Sequence, residues 1–376
     1  MRRKALYIWQ DDDWPKFTWD AEALLAPLAE ARHKQGRLLG QMQRLGFDLQ
    51  IEASFQATVE DAIRTSEIEG EMLDPASVRS SVARRLGLPD AGLPSSDARA
   101  EGVVEMMMDA MQNHAGPLTI DRLFAWHAAL FPTGHSGMRK IVTGDWRDDR
   151  DGPMQVVSGP LGRQKVHYEA PPAKRLKAEM KRFLAWFNGA DTADGLLRSG
   201  IAHLWFVTIH PLEDGNGRIA RAIADLALAR TEGIGHRFYS VSAQIQRERN
   251  RYYDVLERTQ KGSLDVTAWL VWFMSCFSHA VDAAEEKSRA VLRKAKFWQR
   301  FAQEPLSVRQ KTILNRFMGG FEGNLTARKW AALGKCSVDT ASRDINDLLE
   351  RGLLVRNPGG SKRTSFNVAG FEPETG

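Results

Sequence analysis

The feature that most constrains this chain is a break between two helical patterns in residues 195–230. Leu196, Leu197, Ile201, Leu204, Trp205 and Thr208 recur at helical spacing, and Ile219, Ala222, Ile223, Leu226 and Ala227 resume it. Between them stands His210-Pro211-Leu212-Glu213-Asp214-Gly215-Asn216-Gly217-Arg218. Pro211 cannot continue the first helix, because proline lacks the N–H and its ring clashes with the preceding turn. The pattern therefore predicts a helix to about Ile209, a polar loop, and a second helix. Helical periodicity dominates elsewhere too, so the expected class is mainly α.

Each residue type in the loop has a chemical use. Gly215 and Gly217 permit backbone conformations closed to other residues, so consecutive N–H groups can converge on one point. The N-terminus of the second helix favours an anion there. Asn216 can cap that helix or donate to the same anion. Arg218 and Arg221 are spaced i, i+3 and share one helix face. Two guanidiniums beside a backbone nest suit more than one phosphate. A carboxylate at Asp214 next to a polyphosphate is what Mg²⁺ needs, since it binds through one or two carboxylates plus phosphate oxygens. His210, at the mouth, is the candidate general base. Any one piece has a bland reading, such as an ordinary turn or a solvated arginine face. Their concentration in one loop and the next helical turn points to phosphoryl or nucleotidyl transfer from a Mg²⁺-nucleotide. A metal site formed by His203 and His210 is disfavoured, because no third ligand follows and Pro211 disrupts the face. The pattern GxxxxGK[ST] is missing, which argues against a P-loop enzyme.

Composition sets the outer bounds. At 376 residues with 43% hydrophobic and 26% charged residues, two or three domains are expected and global disorder is excluded. Cys276 and Cys336 stand alone, which rules out a disulfide scaffold or zinc module and suits a reducing compartment. The apolar run after Met1-Arg2-Arg3-Lys4 is too short for a signal peptide. The longest uncharged stretch, Val266 to Val281, reads as a core helix, not a membrane span. A cytoplasmic protein without a membrane partner is expected. From Lys287 onward there are 17 Lys+Arg against 8 Asp+Glu, and before it 35 against 39. A basic C-terminal region is where an anionic partner such as nucleic acid would bind.

Along the chain, Trp9, Trp14, Phe17 and Trp19 suggest an aromatic cap, followed by helical patterns from about Ala21 to Glu52 and from about Phe55 to Ile68. Gly, Pro and Ser between 87 and 96 mark a boundary. A helical block runs from about Arg99 to Glu286, with a hairpin expected at Met154–Ser158 and Lys165–Tyr168 around Gly159-Pro160-Leu161-Gly162. A charged helix near 287–301 precedes Pro305 and a last unit. The expected division is 1–95, 96–290 and 300–370.

His210 to Arg221 resembles the Fic motif, HPFx[D/E]GNGRxxR, and departs from it only in Leu212 for the usual Phe. The amino-terminal Tyr7-Ile8-Trp9-Gln10, Trp14-Pro15 and Phe17-Thr18-Trp19 are similar to the extension of one Fic subgroup. The resemblance implies a Fic-type helical core with a β-hairpin flap, and an enzyme that moves AMP from ATP to a Ser, Thr or Tyr hydroxyl of a target protein, the chain itself included. It implies His210 as the base, Asp214 on Mg²⁺, Gly215, Asn216 and Gly217 as the anion hole, and Arg218 and Arg221 on the β- and γ-phosphates. Thr65-Ser66-Glu67-Ile68-Glu69-Gly70 fits the family's inhibitory motif, [S/T]xxxE[G/N]. There Glu69 would pair with Arg221 and block the productive γ-phosphate position, with Thr65 in the same motif. Asn250 and Tyr253 would line the adenine pocket, and the hairpin would align a target segment by strand pairing. Removal of AMP assisted by Glu69, or transfer of phosphate or another nucleotide, remain rivals, and a homodimer stays open.

In the last unit, Ser307–Met318, Thr326–Leu333 and Ser337–Glu350 read as helices. Two alternating segments, 352–356 and 363–368, follow across Pro358-Gly359-Gly360-Ser361. The segment looks like a winged helix, with Ser337, Thr340, Ser342 and Arg343 near the start of its recognition helix and Lys362 and Arg363 on the wing. DNA is a candidate partner, and a DNA-binding regulator with a nucleotide-sensing Fic core is the rival from outside enzymology. Asp339, Asp344 and Asp347 on the same helix weaken that case.

Overall fold

The computed structural model describes residues 6–88, 96–160, 163–189, 193–318, 325–357 and 364–371. It is mainly helical and divides into two compact units, Met1–Arg44 with Gln50–Ala284, and Leu45–Leu49 with Glu285–Gly376.

In the first unit the chain runs through α1 (Ala21–Gln43), α2 (Phe47–Ile68), α3 (Pro75–Arg85), α4 (Ala98–Gln112) and α5 (Ile120–Leu130). Two small antiparallel ladders follow, β1 (His135–Ser136) with β2 (Arg139–Lys140), and β3 (Gln155–Ser158) with β4 (Lys165–Glu169). Then come α6 (Leu176–Asn188), α7 (Gly195–Ile209), α8 (Asn216–Glu232), α9 (Val241–Arg247), α10 (Arg249–Gln260) and α11 (Thr267–Arg300), whose residues from Glu285 on are counted with the second unit. The α7–α8 pair forms the centre: every residue of α7 from Ile201 to Ile209 is buried, and the adjoining α8 is buried from Arg218 to Ala229. A helix apolar on all sides belongs in a core.

The aromatic residues near the start do form a cap. Trp14 lies edge-on to Phe17 and Trp205, and its indole N–H donates to Glu179 at 3.0 Å. Thr18 is pinned on both sides, its N–H donating to Leu264 O and its carbonyl accepting from Val266 N–H, each at 2.9 Å. Asp20 then caps α1 by accepting from Glu22 and Ala23 N–H.

Two expectations about helix limits are corrected. The first helix ends at Gln43 and the next runs unbroken from Phe47 to Ile68, so the break falls beside Gly46 and not near residues 52–55. Glycine alone does not end a helix here, since α1 holds Gly36 and Gly40 in its interior, and Ser54, buried at 3% exposure, sits inside α2. The segment near 287–301 is not a separate helix but the continuation of α11.

The hairpin appears as expected, with Gln155 opposite Glu169, Val156 opposite Tyr168 and Ser158 opposite Lys165, and a register irregularity after Val156. Leu161 and Gly162 of its turn lie outside the described residues.

The second unit holds α12 (Val308–Met318), α13 (Ala327–Gly334), α14 (Val338–Glu350) and an antiparallel pair, β5 (Leu354–Arg356) and β6 (Phe366–Val368). Ile313, Leu314, Trp330, Ile345, Leu348 and Phe366 fill its core. Asp344 and Asp347 do not project from a free face of α14. Asp344 accepts from Arg309 at 2.8 Å and from the Trp330 indole at 3.0 Å, and Asp347 pairs with Arg351 at 3.0 Å. Asp339 and Arg343 are exposed, while Lys362, Arg363 and Pro358–Ser361 lie outside the described residues.

Candidate active site

The α7 helix ends on His210, whose N–H still donates to Phe206 O at 3.0 Å while its own backbone turns left-handed, at φ 50° and ψ 58°. For a residue other than glycine that conformation costs about 1–3 kcal/mol and persists only where its surroundings impose it. Arg147 imposes it. Its Nε donates to His210 O at 2.7 Å and its backbone N–H to Pro211 O at 3.0 Å. The rest of its guanidinium reaches Pro171 O at 2.5 Å and Asp149 at 2.9 Å, and the side chain is wholly buried. Nothing in Gly144-Asp145-Trp146-Arg147-Asp148-Asp149 marks this residue in the sequence; it reads as a charged loop.

The imidazole is oriented as firmly as the backbone. Its Nδ1 lies 3.2 Å from Val207 O, which can only accept, so Nδ1 carries the hydrogen and Nε2 keeps its lone pair. Burial pushes the His210 pKa down to about 4, with Arg147 adding to the effect and the Val207 bond, Glu69 and Asp214 opposing it. At neutral pH the ring is an uncharged proton acceptor. The hydroxyl of Tyr168 on β4 donates to Thr208 O at 2.6 Å, so the hairpin is tied to the turn that carries this ring.

Beyond His210 the loop is closed by Asn216, in a way the sequence did not suggest. Its Oδ1 accepts from Leu212 N–H at 3.0 Å and its Nδ2 donates to Leu212 O at 2.8 Å. The side chain is a brace and neither caps α8 nor faces an anion; an anion would meet its backbone N–H. Gly215, at φ 79°, precedes the helix, and its N–H is taken by the Asp214 carboxylate at 2.6 Å. The other Asp214 oxygen accepts from the Ser136 hydroxyl of β1. Behind this carboxylate, His127 is buried and held neutral, its pKa lowered by burial to about 4.

Arg218 and Arg221 lie beside the loop as expected, but neither is on a solvated face: each is 3% exposed. Thr65 grips Arg221 twice, its hydroxyl accepting from Nε at 2.7 Å and its carbonyl from a terminal nitrogen at 2.8 Å. Glu69 accepts from that same nitrogen at 2.8 Å. Burial opposes the charge on Arg221, yet Glu69 and the neighbouring tyrosine hydroxyls hold its pKa above the ordinary arginine value. The Glu69 carboxylate fills the space at the start of α8, since a Cβ built on Gly217 would stand 2.1 Å from its Oε1. Arg218 lies 5.0 Å over the Phe131 ring and pairs with Glu71, which sequence reasoning did not single out.

Of the two adenine-pocket candidates, Tyr253 is drawn to the site. Its hydroxyl donates to Ile68 O at 3.3 Å, one residue before Glu69, and burial and Glu69 raise its pKa. Asn250 is exposed on the same helix, α10.

A Mg²⁺ ion with a nucleotide fits these residues. Asp214 with the adjoining Ser136 hydroxyl offers hard oxygen donors that phosphate oxygens and waters would complete to six. The buried Arg218 Nε has no hydrogen-bond partner among the described residues, which leaves a donor that an anion could satisfy. No described helix is long and apolar enough to cross a membrane.

These elements, a helix ending on a left-handed histidine, a Gly-Asn-Gly turn and two buried arginines at the next helix start, are what the segment resembling the Fic motif folds into. The chain carries a domain of the Fic/DOC family, which residues 117–228 match. Residues 7–88 match a second family, a domain of unknown function (DUF4172), whose span includes Thr65 and Glu69. Over 151 residues the chain is 28% identical to the uridine 5'-monophosphate transferase of Xanthomonas campestris pv. campestris (37% of this chain, 26% of the relative). Over 233 residues it is 22% identical to the protein adenylyltransferase Fic of Nematostella vectensis (61% of this chain, 49% of the relative). The chain thus spans between a quarter and a half of these relatives. Among solved structures, a Fic family protein from Desulfovibrio desulfuricans G20 superposes with a TM-score of 0.57 at 21% identity, covering 96% of this chain and 99% of that one. A Fic domain containing signaling protein from Bacteroides thetaiotaomicron gives 0.51 at 17%, covering 68% and 95%. Both likenesses are of fold.

Proposed function

We propose that this protein is a Mg²⁺-dependent adenylyltransferase that moves AMP from ATP to a hydroxyl side chain of a target protein, and that Glu69 holds it at low resting activity. The observation that carries the reading is the pairing of a free His210 Nε2 with an anion site whose second arginine is already occupied by Glu69. His210 Nε2 takes the proton of the target hydroxyl, and that oxygen attacks the α-phosphorus. The bond to the β-phosphate bridging oxygen breaks, and pyrophosphate leaves. Arg218 and Arg221, with N–H groups at the start of α8, hold the polyphosphate, so catalysis rests on positioning and fixed charge. Mg²⁺, held by Asp214, would neutralise charge on the phosphates. Glu69 competes with the γ-phosphate for Arg221, and displacement requires breaking its ion pair with a buried guanidinium.

The test is incubation with Mg²⁺ and α-labelled ATP of the unaltered protein, Glu69→Gly, and Glu69→Gly with His210→Ala, each with a target-rich lysate. Label on protein only in Glu69→Gly supports the whole reading. Label from γ-labelled ATP instead would move the assignment to phosphate transfer. Label from α-labelled UTP and not ATP would place the chain with its uridylyl-transferring relative. No label in any form would sink the reading.

A further inference from the structure

The end of α2 delivers two carboxylates, not one. Glu69 N–H donates to Ser66 O at 3.1 Å and Gly70 N–H to Glu67 O at 3.0 Å. Gly70 then turns left-handed at φ 82°, and Glu71 N–H returns to Ser66 O at 3.0 Å. This is the reversal that commonly ends helices at glycine. Space around Gly70 is open, so it is the backbone angle that calls for glycine there. The reversal folds Glu71 back toward the side taken by Glu69. One carboxylate meets Arg221 and the other meets Arg218, three residues earlier on the same face of α8.

The two contacts have the same construction. Each arginine is 3% exposed, and each acid is partly open to solvent, Glu69 at 29% and Glu71 at 31% of its side chain. A buried guanidinium is fixed in place while its partner can swing out. Arg218 keeps an unpartnered Nε even with Glu71 bound, so its donors are not exhausted by the pair. With both acids in place, the two guanidiniums that would face a polyphosphate are neutralised, and a like charge stands at each phosphate position.

We propose that Glu71 is a second blocking carboxylate, which occupies Arg218 as Glu69 occupies Arg221, so that removal of Glu69 alone releases half of the phosphate site. The inference rests on the nucleotide-transfer reading of the same site. It divides the latch between two arms of one helix end: Glu69 excludes one phosphate, and Glu71 weakens the hold on the other. It also gives a partner protein a single handle, because unwinding the last turn of α2 withdraws both acids together.

Direct binding of Mg²⁺-ATP, measured by titration calorimetry without a target protein, separates this inference from the reading beneath it. The expected order of affinity is unaltered protein weakest, then Glu69→Gly, then Glu69→Gly/Glu71→Gln. The last step should be about three- to tenfold, the worth of a half-exposed ion pair and the repulsion it replaces. Glu69→Gly/Glu71→Asp, which keeps the charge, should stay near the Glu69→Gly value. Equal affinity with and without Glu71 would overturn the inference while leaving Glu69 in its role. Weaker binding without Glu71 would also overturn it, showing that the acid positions Arg218 for phosphate. If Glu69→Gly binds no ATP, both the inference and the transfer reading fall. Melting curves of each variant report whether the fold is retained.

Discussion

Replacing Arg147 tests whether the geometry of His210 depends on a residue that would never touch substrate. In Arg147→Ala, the carbonyls of His210 and Pro171 lose donors at 2.7 and 2.5 Å, and Asp149 loses its partner at 2.9 Å. Leaving a buried acceptor unsatisfied costs about 1–3 kcal/mol, so the two carbonyls together put about 2–6 kcal/mol at risk. Asp149 is a third exposed and can recover hydration, so its share is small. The chain can escape part of this cost by letting His210 leave its left-handed conformation, which also releases about 1–3 kcal/mol of backbone strain. Relaxation therefore moves the base, and a displacement near 1 Å is enough for a loss of about 10² in rate. In a Glu69→Gly background, Arg147→Ala should lower single-turnover AMP transfer by about 10²-fold while Mg²⁺-ATP affinity stays within about twofold, because on the proposed reading it is α8 that would hold the phosphate groups. Arg147→Lys keeps the charge without the forked donors and should fall between, which guards against a variant that fails to fold. The pH profile provides a second readout. The Arg147 charge helps depress His210, so Arg147→Ala should shift the acid limb upward from about pH 4, and Arg147→Lys should not. Unchanged transfer at a reduced melting temperature would refute the positioning role, as would equal losses in rate and ATP affinity.

Other substitutions give sharp expectations. Gly217→Ala places a methyl group 2.1 Å from Glu69 Oε1, so it should expel the acid from Arg221 yet leave transfer absent, because the same methyl obstructs the phosphate site; recovery of activity would count against the assigned cradle. His203, buried against the Tyr252 hydroxyl, has its pKa lowered by burial to about 3. It stays neutral in the fold and takes a proton when unfolded, so its contribution is complete above pH 6.5 and is lost as pH falls toward 3. Chemical denaturation between pH 6 and 4 should lose up to about 1.4 kcal/mol per pH unit from this group, and an unchanged slope in His203→Gln would contradict it. Trp14→Ala removes a buried indole packed on Phe17 and Trp205 and leaves Glu179 short of a donor; a loss of about 3–5 kcal/mol is expected by urea denaturation, and less than 1 would show the cap to be dispensable.

What could be read in advance followed the range of the interactions. The α7–loop–α8 segment was legible because its chemistry is contiguous: His210, Asp214, Arg218 and Arg221 lie within twelve residues, and Pro211 and Gly215 mark the break. Thr65 and Glu69 stood out only through resemblance, since an i, i+4 polar pair on a helix is ordinary by itself. Arg147, Ser136 and Glu71 gave no local signal, because each meets its partner across 63 or more residues of chain. Asn216 was recognised as important, but composition could not show that its amide would brace Leu212 and not a ligand. The break between α1 and α2 is not marked in the sequence, because apolar spacing continues through both helices and Gly46 does not stand out beside Pro27, Gly36 and Gly40, which α1 absorbs. On α14, two of the three acids taken as a barrier to DNA are paired, Asp344 with Arg309 and Trp330 and Asp347 with Arg351, while Asp339 is exposed; such pairings depend on α12, α13 and a residue beyond the helix.

The bond from Tyr168 to Thr208 joins a strand to the turn that carries the base, two residues before His210. Strand pairing repeats every two residues, at roughly 6.4–6.8 Å. A segment laid along the free edge of the β3–β4 ladder would therefore be measured against a ruler fixed to the reacting centre. Residues one step to either side face the opposite way, and the next of like orientation lies a full repeat distant. On the proposed transfer reading, such a ruler would select a hydroxyl by its position along an extended segment, with little demand on the identity of its neighbours.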